Sequence, residues 1–213
     1  MHMKNWFWPG VTWTAALTAL ALWFGTAAVE EDIAGRVSQV LSPFVWTGFD
    51  VEGRDVTVKG VAPDPSARAT ALDALKSVTE INDVNDLTSV LPLASPYVFR
   101  IGKHDGGLVF SGSIPDNALR DPIMEQAETM ASDLTLDDQM ALARGSAPDF
   151  SEVVQFLLSL TKELTEGEIE ISDKNLSIKG RVNNRQAYQQ LIETLEKPLP
   201  YGLTIVTSDI TQP

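Results

Sequence analysis

The chain has 213 residues, room for one to three small domains, and no cysteine, which excludes disulfides and thiolate metal centres. Its 29 Asp and Glu against 16 Lys and Arg leave a net charge of -13. A surface that acidic repels polyanions at long range, so nucleic acid is not an expected partner.

From Val11 to Val29 no residue is charged. A helix rising about 1.5 Å per residue over this stretch nearly spans the ~30 Å hydrocarbon core of a bilayer. Lys4, Trp6 and Trp8 stand before it and Trp23 within it, placed as membrane-interface anchors, and Pro9 suits a first helical turn. Glu30-Glu31-Asp32 follow at once, so the positive-inside rule puts the N-terminus in the cytoplasm and the remainder in a bacterial periplasm. A cleaved signal peptide ending at Thr26-Ala27-Ala28 is the alternative; the length of the span and the bulk of Trp23-Phe24 favour an uncleaved anchor. Residues 1–29 are therefore expected to form a single-pass transmembrane helix in the inner membrane, in contact with lipid.

Residues 30–92 read as helix, strand, strand, helix, strand. Ile33, Val37, Val40 and Leu41 recur at helical spacing up to Ser42-Pro43. Trp46 to Val51 is a short strand, Glu52 to Asp55 a turn, and Val56 to Gly60 a second strand. Asp64-Pro65 opens a helix with Ala71, Leu72, Leu75 and Val78 on one face, and Val84 to Leu91 closes the unit. Pro92 to Pro96 is a linker.

Residues 96–143 begin directly with a strand, Tyr97 to Ile101. His104-Asp105-Gly106-Gly107 signals a hairpin, Leu108 to Ile114 returns, and Pro115-Asp116 opens a helix carrying Leu119, Ile123, Met124, Ala127 and Met130. Leu134 to Leu142 closes this unit, which lacks an opening helix and so leans on a neighbour to cover its sheet. Residues 147–211 repeat the full order. Asp149 is a candidate N-cap, followed by a stripe of Val153, Phe156, Leu157, Leu160 and Leu164. Strands at Glu168 to Ile171 and Leu176 to Val182, a helix after Asn183-Asn184, and a strand at Leu203 to Ile210 complete it. Sheets this small are expected to pack against each other.

One signature recurs in all three units: Val56-Thr-Val-Lys-Gly-Val-Ala-Pro-Asp64, Leu108-Val-Phe-Ser-Gly-Ser-Ile-Pro-Asp116 and Leu176-Ser-Ile-Lys-Gly-Arg-Val-Asn-Asn184. Apolar residues sit two apart, as in a sheet with one buried face, and then comes Gly60, Gly112 or Gly180. A glycine at the same place each time points to a bend, a bulge or a close backbone approach that a side chain would block. Three copies argue for an internal repeat.

The first signature, the Ala-rich helix after it and the αββαβ order resemble the BON domain, a small module of bacterial envelope proteins often found in tandem. Ala143 to Phe150, Leu176 to Val182 and Leu199-Pro-Tyr-Gly202, taken with the N-terminal span, resemble the front half of a group of outer-membrane-protein-A-like proteins of Gram-negative bacteria (the OmpA family). That resemblance implies an α+β chain: a transmembrane helix, then three small αββαβ repeats, the second without its first helix. It implies an envelope adaptor whose modules meet phospholipid or partner proteins, with no catalytic residue to carry over. The group's C-terminal peptidoglycan-binding domain is not in this sequence, which implies a fragment or a short relative.

No motif for chemistry stands out. His2 and His104 are the only histidines, and His104 reads as a turn residue. Asp133, Asp137 and Asp138 lack the central glycine and final glutamate of a calcium loop. These carboxylates, and Glu163, Glu166, Glu168 and Glu170, read as solvated faces; Met124, Met130 and Met140 read as core filling. No phosphate loop, dinucleotide fingerprint or nucleophile elbow appears. No catalytic residue, metal or cofactor is therefore expected. The reading is a scaffold that binds a membrane-protein complex or envelope protein. The alternative is a phospholipid-binding module, if Lys59, Arg68, Lys179 and Arg181 gather on one face.

Overall fold

The computed structural model describes residues 13–14, 28–130 and 135–212. The fold is mixed α+β, with two sheets and five helices among the described residues. They fall into two compact units, Met1–Val90 and Leu91–Pro213.

In the first unit, helix α1 (residues 28–41) buries Ile33, Val37 and Leu41 on one face. Strand β1 (Thr47–Glu52) turns through Gly53 into β2 (Asp55–Ala62), antiparallel to it. Glu30 reaches back from α1 and accepts from the Gly53 N–H at 2.8 Å. Helix α2 (Pro65–Leu75) starts where the Asp64 carboxylate accepts from the Ser66 and Ala67 N–H groups, satisfying donors that no helical carbonyl can reach. It crosses over to β3 (Asp83–Val90), which pairs parallel to β2. The sheet order is β1-β2-β3. Val56 and Val58, the alternating residues of the first signature, meet Ile33, Val37, Ala71 and Leu75 in one core.

The second unit carries a six-stranded sheet in the order β6-β5-β4-β7-β8-β9. Strands β4 (Val98–His104) and β5 (Gly107–Ile114) form a hairpin; helix α3 (Arg120–Met130), entered through a 3₁₀ turn at Asn117–Leu119, leads to β6 (Thr135–Leu142), parallel to β5. Helix α4 (Phe150–Glu163) then precedes β7 (Leu164–Ser172), β8 (Asn175–Val182), α5 (Arg185–Glu196) and β9 (Thr204–Thr211). Asn184 caps α5 by accepting from the Ala187 N–H at 2.8 Å.

The junction of the two halves is an antiparallel pairing of β4 with β7, Phe99 opposite Ile171 and Ile101 opposite Ile169. Helix α4 packs on both strands and lies between α3 and α5. Its Val153, Val154, Leu157, Leu158 and Leu160 are buried in one core with Phe99, Ile101, Phe110, Ile169 and Ile178. A single helix thus covers the seam, so residues 98–142 need no opening helix of their own. The opposite face of this mixed sheet carries Arg100, Ser111, Gln139, Glu170 and Ser177 along one cross-strand row and is polar, as a sheet with one wet face is.

Several expectations need correction. The fold class predicted with an N-terminal transmembrane helix does not stand: no helix among the described residues is long and apolar enough to cross a membrane. The helical backbone from residue 28 carries Glu30, Glu31, Asp32 and Arg36 and turns its apolar stripe into the first core. Most of residues 1–29, with Lys4, Trp6, Trp8 and Trp23, lies outside the described residues. The first signature strand does not end at Gly60 but runs two residues further, to the buried Ala62, while the other two end at Ile114 and Val182 as read from the sequence. The sheets of residues 98–142 and 164–211 join edge to edge rather than packing face to face. Leu164 belongs to a strand, because α4 ends at Glu163 and β7 starts without a loop. Asp149 precedes α4 but makes no side-chain cap hydrogen bond.

Candidate functional site

The three repeat glycines are places where two backbones nearly touch. A β-carbon on Gly60 would lie 2.1 Å from the Trp46 carbonyl oxygen, on Gly112 2.3 Å from that of Val98, and on Gly180 2.4 Å from that of Glu166. Gly60 and Gly112 also hold φ of +134° and +97°, where side chains are strained. In each case the opposing backbone belongs to the first strand of the same hairpin or to the residue entering it. These glycines set the crossing of paired strands; Gly180 also lines an open surface hollow of about 430 Å³ with Glu166, Lys179, Arg181 and Asp209.

A second device recurs, and the sequence reading missed it. Arg68 on α2 donates through Nη2 to Asp86 on β3 at 2.6 Å and through Nε to Thr88 Oγ1 at 2.9 Å, while the Thr88 N–H donates back to Asp86 at 2.9 Å. Arg120 on α3 likewise holds Asp138 on β6, with a further hydrogen bond to the Met140 carbonyl at 2.9 Å, and the Met140 N–H returns to Asp138 at 2.9 Å. Each arginine follows by four the aspartate that precedes its helix, Asp64 and Asp116, and each partner aspartate lies opposite the second alternating apolar residue, Val58 or Phe110. At the matching positions of the last repeat stand Tyr188 and Ser208, so there the charged clamp is replaced.

The clamp has a pH signature. Burial pulls the Asp86 pKa up, but the hydrogen bonds from Thr88 and the Arg68 guanidinium outweigh it, and the net shift is downward. A carboxyl depressed in the folded state contributes stability that is present above its unfolded pKa and is lost as pH falls through the folded value. Asp86→Asn should therefore flatten the acid limb of the stability curve below about pH 4. Urea melts of the full chain at descending pH, read by far-ultraviolet circular dichroism, check this; parallel acid limbs in both proteins refute it.

The best-formed cavity, about 160 Å³, lies in the second unit between the start of β4, the start of α4 and the β7–β8 turn. Tyr97, Phe150, Val153, Ile171 and Leu203 line it, with Asp173, Lys174 and Tyr201 at its rim. Tyr97 packs edge-on to Phe150 at 5.5 Å, its N–H donates to Asp173 at 2.8 Å, and its hydroxyl donates to the Ala143 carbonyl at 3.3 Å. Burial pushes the Tyr97 hydroxyl pKa well above its ordinary value, so it stays protonated and serves as a packing group. The volume is below the 300 Å³ or so at which drug-sized ligands are enclosed.

Lys103 is half-buried beside Leu108 and Met130, and its ammonium donates to the Thr161 carbonyl at 3.2 Å. Burial lowers its pKa, with Glu163 opposing. The Thr161 carbonyl also accepts from the Leu164 N–H, so it stays satisfied without the lysine. Lys103→Met keeps the stem and removes the buried charge, and should leave the second unit as stable or up to about 1 kcal/mol more stable in urea. A loss above about 1 kcal/mol would show that the charged lysine stabilises the fold.

Among the described residues no group of three His, Cys, Asp or Glu is placed to hold a metal ion. His104 Nδ1 accepts from the Gly106 N–H at 3.2 Å within the hairpin turn. Glu166 pairs with Arg181 and Glu170 with Arg100, while Asp133 lies outside the described residues. The four basic residues considered for lipid are divided between the units; Lys59 pairs with Asp50, Arg68 with Asp86 and Arg181 with Glu166.

Residues 47–92 match the BON domain family. A search of curated proteins finds no match. Among solved structures the chain is similar to the C-terminal domain of CdsD, the structural protein of the type III secretion system of Chlamydia trachomatis. Identity is 12%, over 85% of this chain and 98% of that one, with a TM-score of 0.32. A second structure of CdsD gives 11% identity over 85% and 93%, with the same score. That score is too low to establish a common fold.

Proposed function

We propose, from the BON domain at residues 47–92, that this chain is a non-catalytic scaffold or adaptor of the bacterial cell envelope. BON domains occur in periplasmic and envelope proteins. The domain match is the observation that carries the reading. The side chains support it: Arg68–Asp86 and Arg120–Asp138 are paired as structural clamps between a helix and a strand, and the hydroxyl of Tyr97 at the best-formed cavity stays protonated as a packing group. Residues 98–142 and 150–211 repeat the strand–strand–helix–strand order of the BON region, so on this reading they are further BON-like modules, as in the outer-membrane-protein-A-like group.

Its function is then to hold an envelope protein or membrane-protein complex by surface contact. Cross-linking in cells followed by purification of the tagged chain in mild detergent should return one stoichiometric protein partner. Repeated recovery of the chain alone, cross-linked to nothing, counts against the scaffold. The lipid reading is weaker, because Lys59, Arg68 and Arg181 already hold carboxylates and the net charge is -13. Flotation with phosphatidylglycerol vesicles at low salt would revive it.

A further inference from the structure

The outer edge of β1 is the counterpart of an edge that, elsewhere in the chain, is already filled. Phe49 and Val51 pair with Val58 and Val56 of the first signature; Ile169 and Ile171 pair with Ile178 and Leu176 of the third. Phe49, Asp50 and Val51 therefore correspond to Ile169, Glu170 and Ile171. In the second unit β4 lies along that edge, with Ile101, Arg100 and Phe99 opposite those three residues. Ile169 and Ile171 are then 0% and 4% exposed, and the Arg100 Nε donates to Glu170. In the first unit no strand lies there among the described residues, and Phe49 and Val51 are only half-buried. A surface groove of about 200 Å³ lies alongside, between the last turn of α1 and β1, lined by Leu41, Phe44, Val45 and Phe49 together with the hydroxyl residues Ser38, Ser42 and Thr47. Val45 is 95% exposed.

We infer that the β1 edge is a docking site for an extended segment of a partner protein, added antiparallel as a further strand. The occupied edge specifies the segment's chemistry: apolar, basic, apolar at successive positions. The two apolar side chains enter the core beside Phe49 and Val51, and the cation faces Asp50, where it competes with the exposed Lys59 that pairs with this carboxylate in the free edge. Backbone hydrogen bonds supply affinity and the alternating side chains supply register. A second copy of this chain fits poorly, because α4 alone fills the space over the β4–β7 seam, whereas two copies joined at β1 would bring two α1 helices to that place. The inference rests on the scaffold reading and gives it a surface and a class of partner.

The probe is a fluorescein-labelled peptide with the sequence of residues 97–104, titrated with the full-length chain in mild detergent, with hydrogen exchange followed on the complex. The expected result is saturable binding with new amide protection over residues 47–52. Asp50→Lys should weaken it roughly tenfold, and a peptide with Arg100→Glu should bind the Asp50→Lys chain better than the parent chain. Circular dichroism of that variant should match the parent, since Asp50 is an exposed side chain. Equal affinity of both peptides for both chains, protection confined to β6 or β9, or self-association through β1 overturns the proposal. A partner cross-linked in cells while residues 47–52 stay unprotected removes this edge and leaves the scaffold standing. Peptide bound at β1 with no cellular partner recovered does the reverse.

Discussion

Gly112→Ala should destabilise the second unit by about 2–5 kcal/mol, enough to unfold most of a marginal domain. Two costs combine. The backbone at Gly112 holds φ +97°, and an added β-carbon would stand 2.3 Å from the Val98 carbonyl oxygen and 3.0 Å from the Phe99 Cα. Neither neighbour is a flexible side chain; both belong to β4 or to the residue entering it, and β4 is fixed on its other side by β7. Relief therefore requires the two central strands to part. Gly35→Ala is the matched control. Gly35 lies exposed in α1 with nothing within 4 Å of an added β-carbon, so that change should raise stability by up to about 1 kcal/mol through helix propensity. Urea denaturation followed by far-ultraviolet circular dichroism separates the two. Equal effects at both sites would mean that the close approach carries no energy.

Leu157→Ala should cost about 2–5 kcal/mol and should loosen both halves of the six-stranded sheet together. Leu157 is fully buried on α4, the helix that packs on β4 and β7 at once. A cavity there removes contacts from residues 98–142 and 150–211 alike. Amide exchange should accelerate at Phe99 and Ile101 as well as at Ile169 and Ile171, in one concerted opening. If only β7 to β9 lose protection, α4 serves its own repeat alone.

The repeated elements were legible because their signals are local. Val56 and Val58, or Leu176 and Ile178, alternate over a few residues, and a carboxylate or amide at Asp64, Asp116 and Asn184 marks each helix start. The first signature strand was read too short at Gly60 because a glycine in a strand looks like its end; here it lets the strand continue past a backbone at contact distance. The α4–β7 boundary escaped notice because Leu160 and Leu164 keep helical spacing although the chain turns to strand between them. The β4–β7 seam has no local mark. It joins residues about seventy apart, and the sole hint was that residues 98–142 lack a covering helix. The arginine clamps were hidden for the same reason, since Arg68 and Asp86, like Arg120 and Asp138, are eighteen apart in the chain and meet only through the crossover.

The helix over the seam also fixes an order of events during synthesis. Residues up to Val90 hold the three strands of the first sheet and the helices α1 and α2 beside it, so that part can close as soon as it emerges. Strands β4, β5 and β6 are complete at Leu142, yet their cover and their inner flank arrive only with α4 and β7, thirty residues later at Ser172. At about 5–20 residues per second the nascent hairpin waits a few seconds with Phe99, Ile101 and Phe110 bare. For that interval the growing chain is a client for a holdase, and a pause in translation placed between those two points would lengthen its exposure to aggregation.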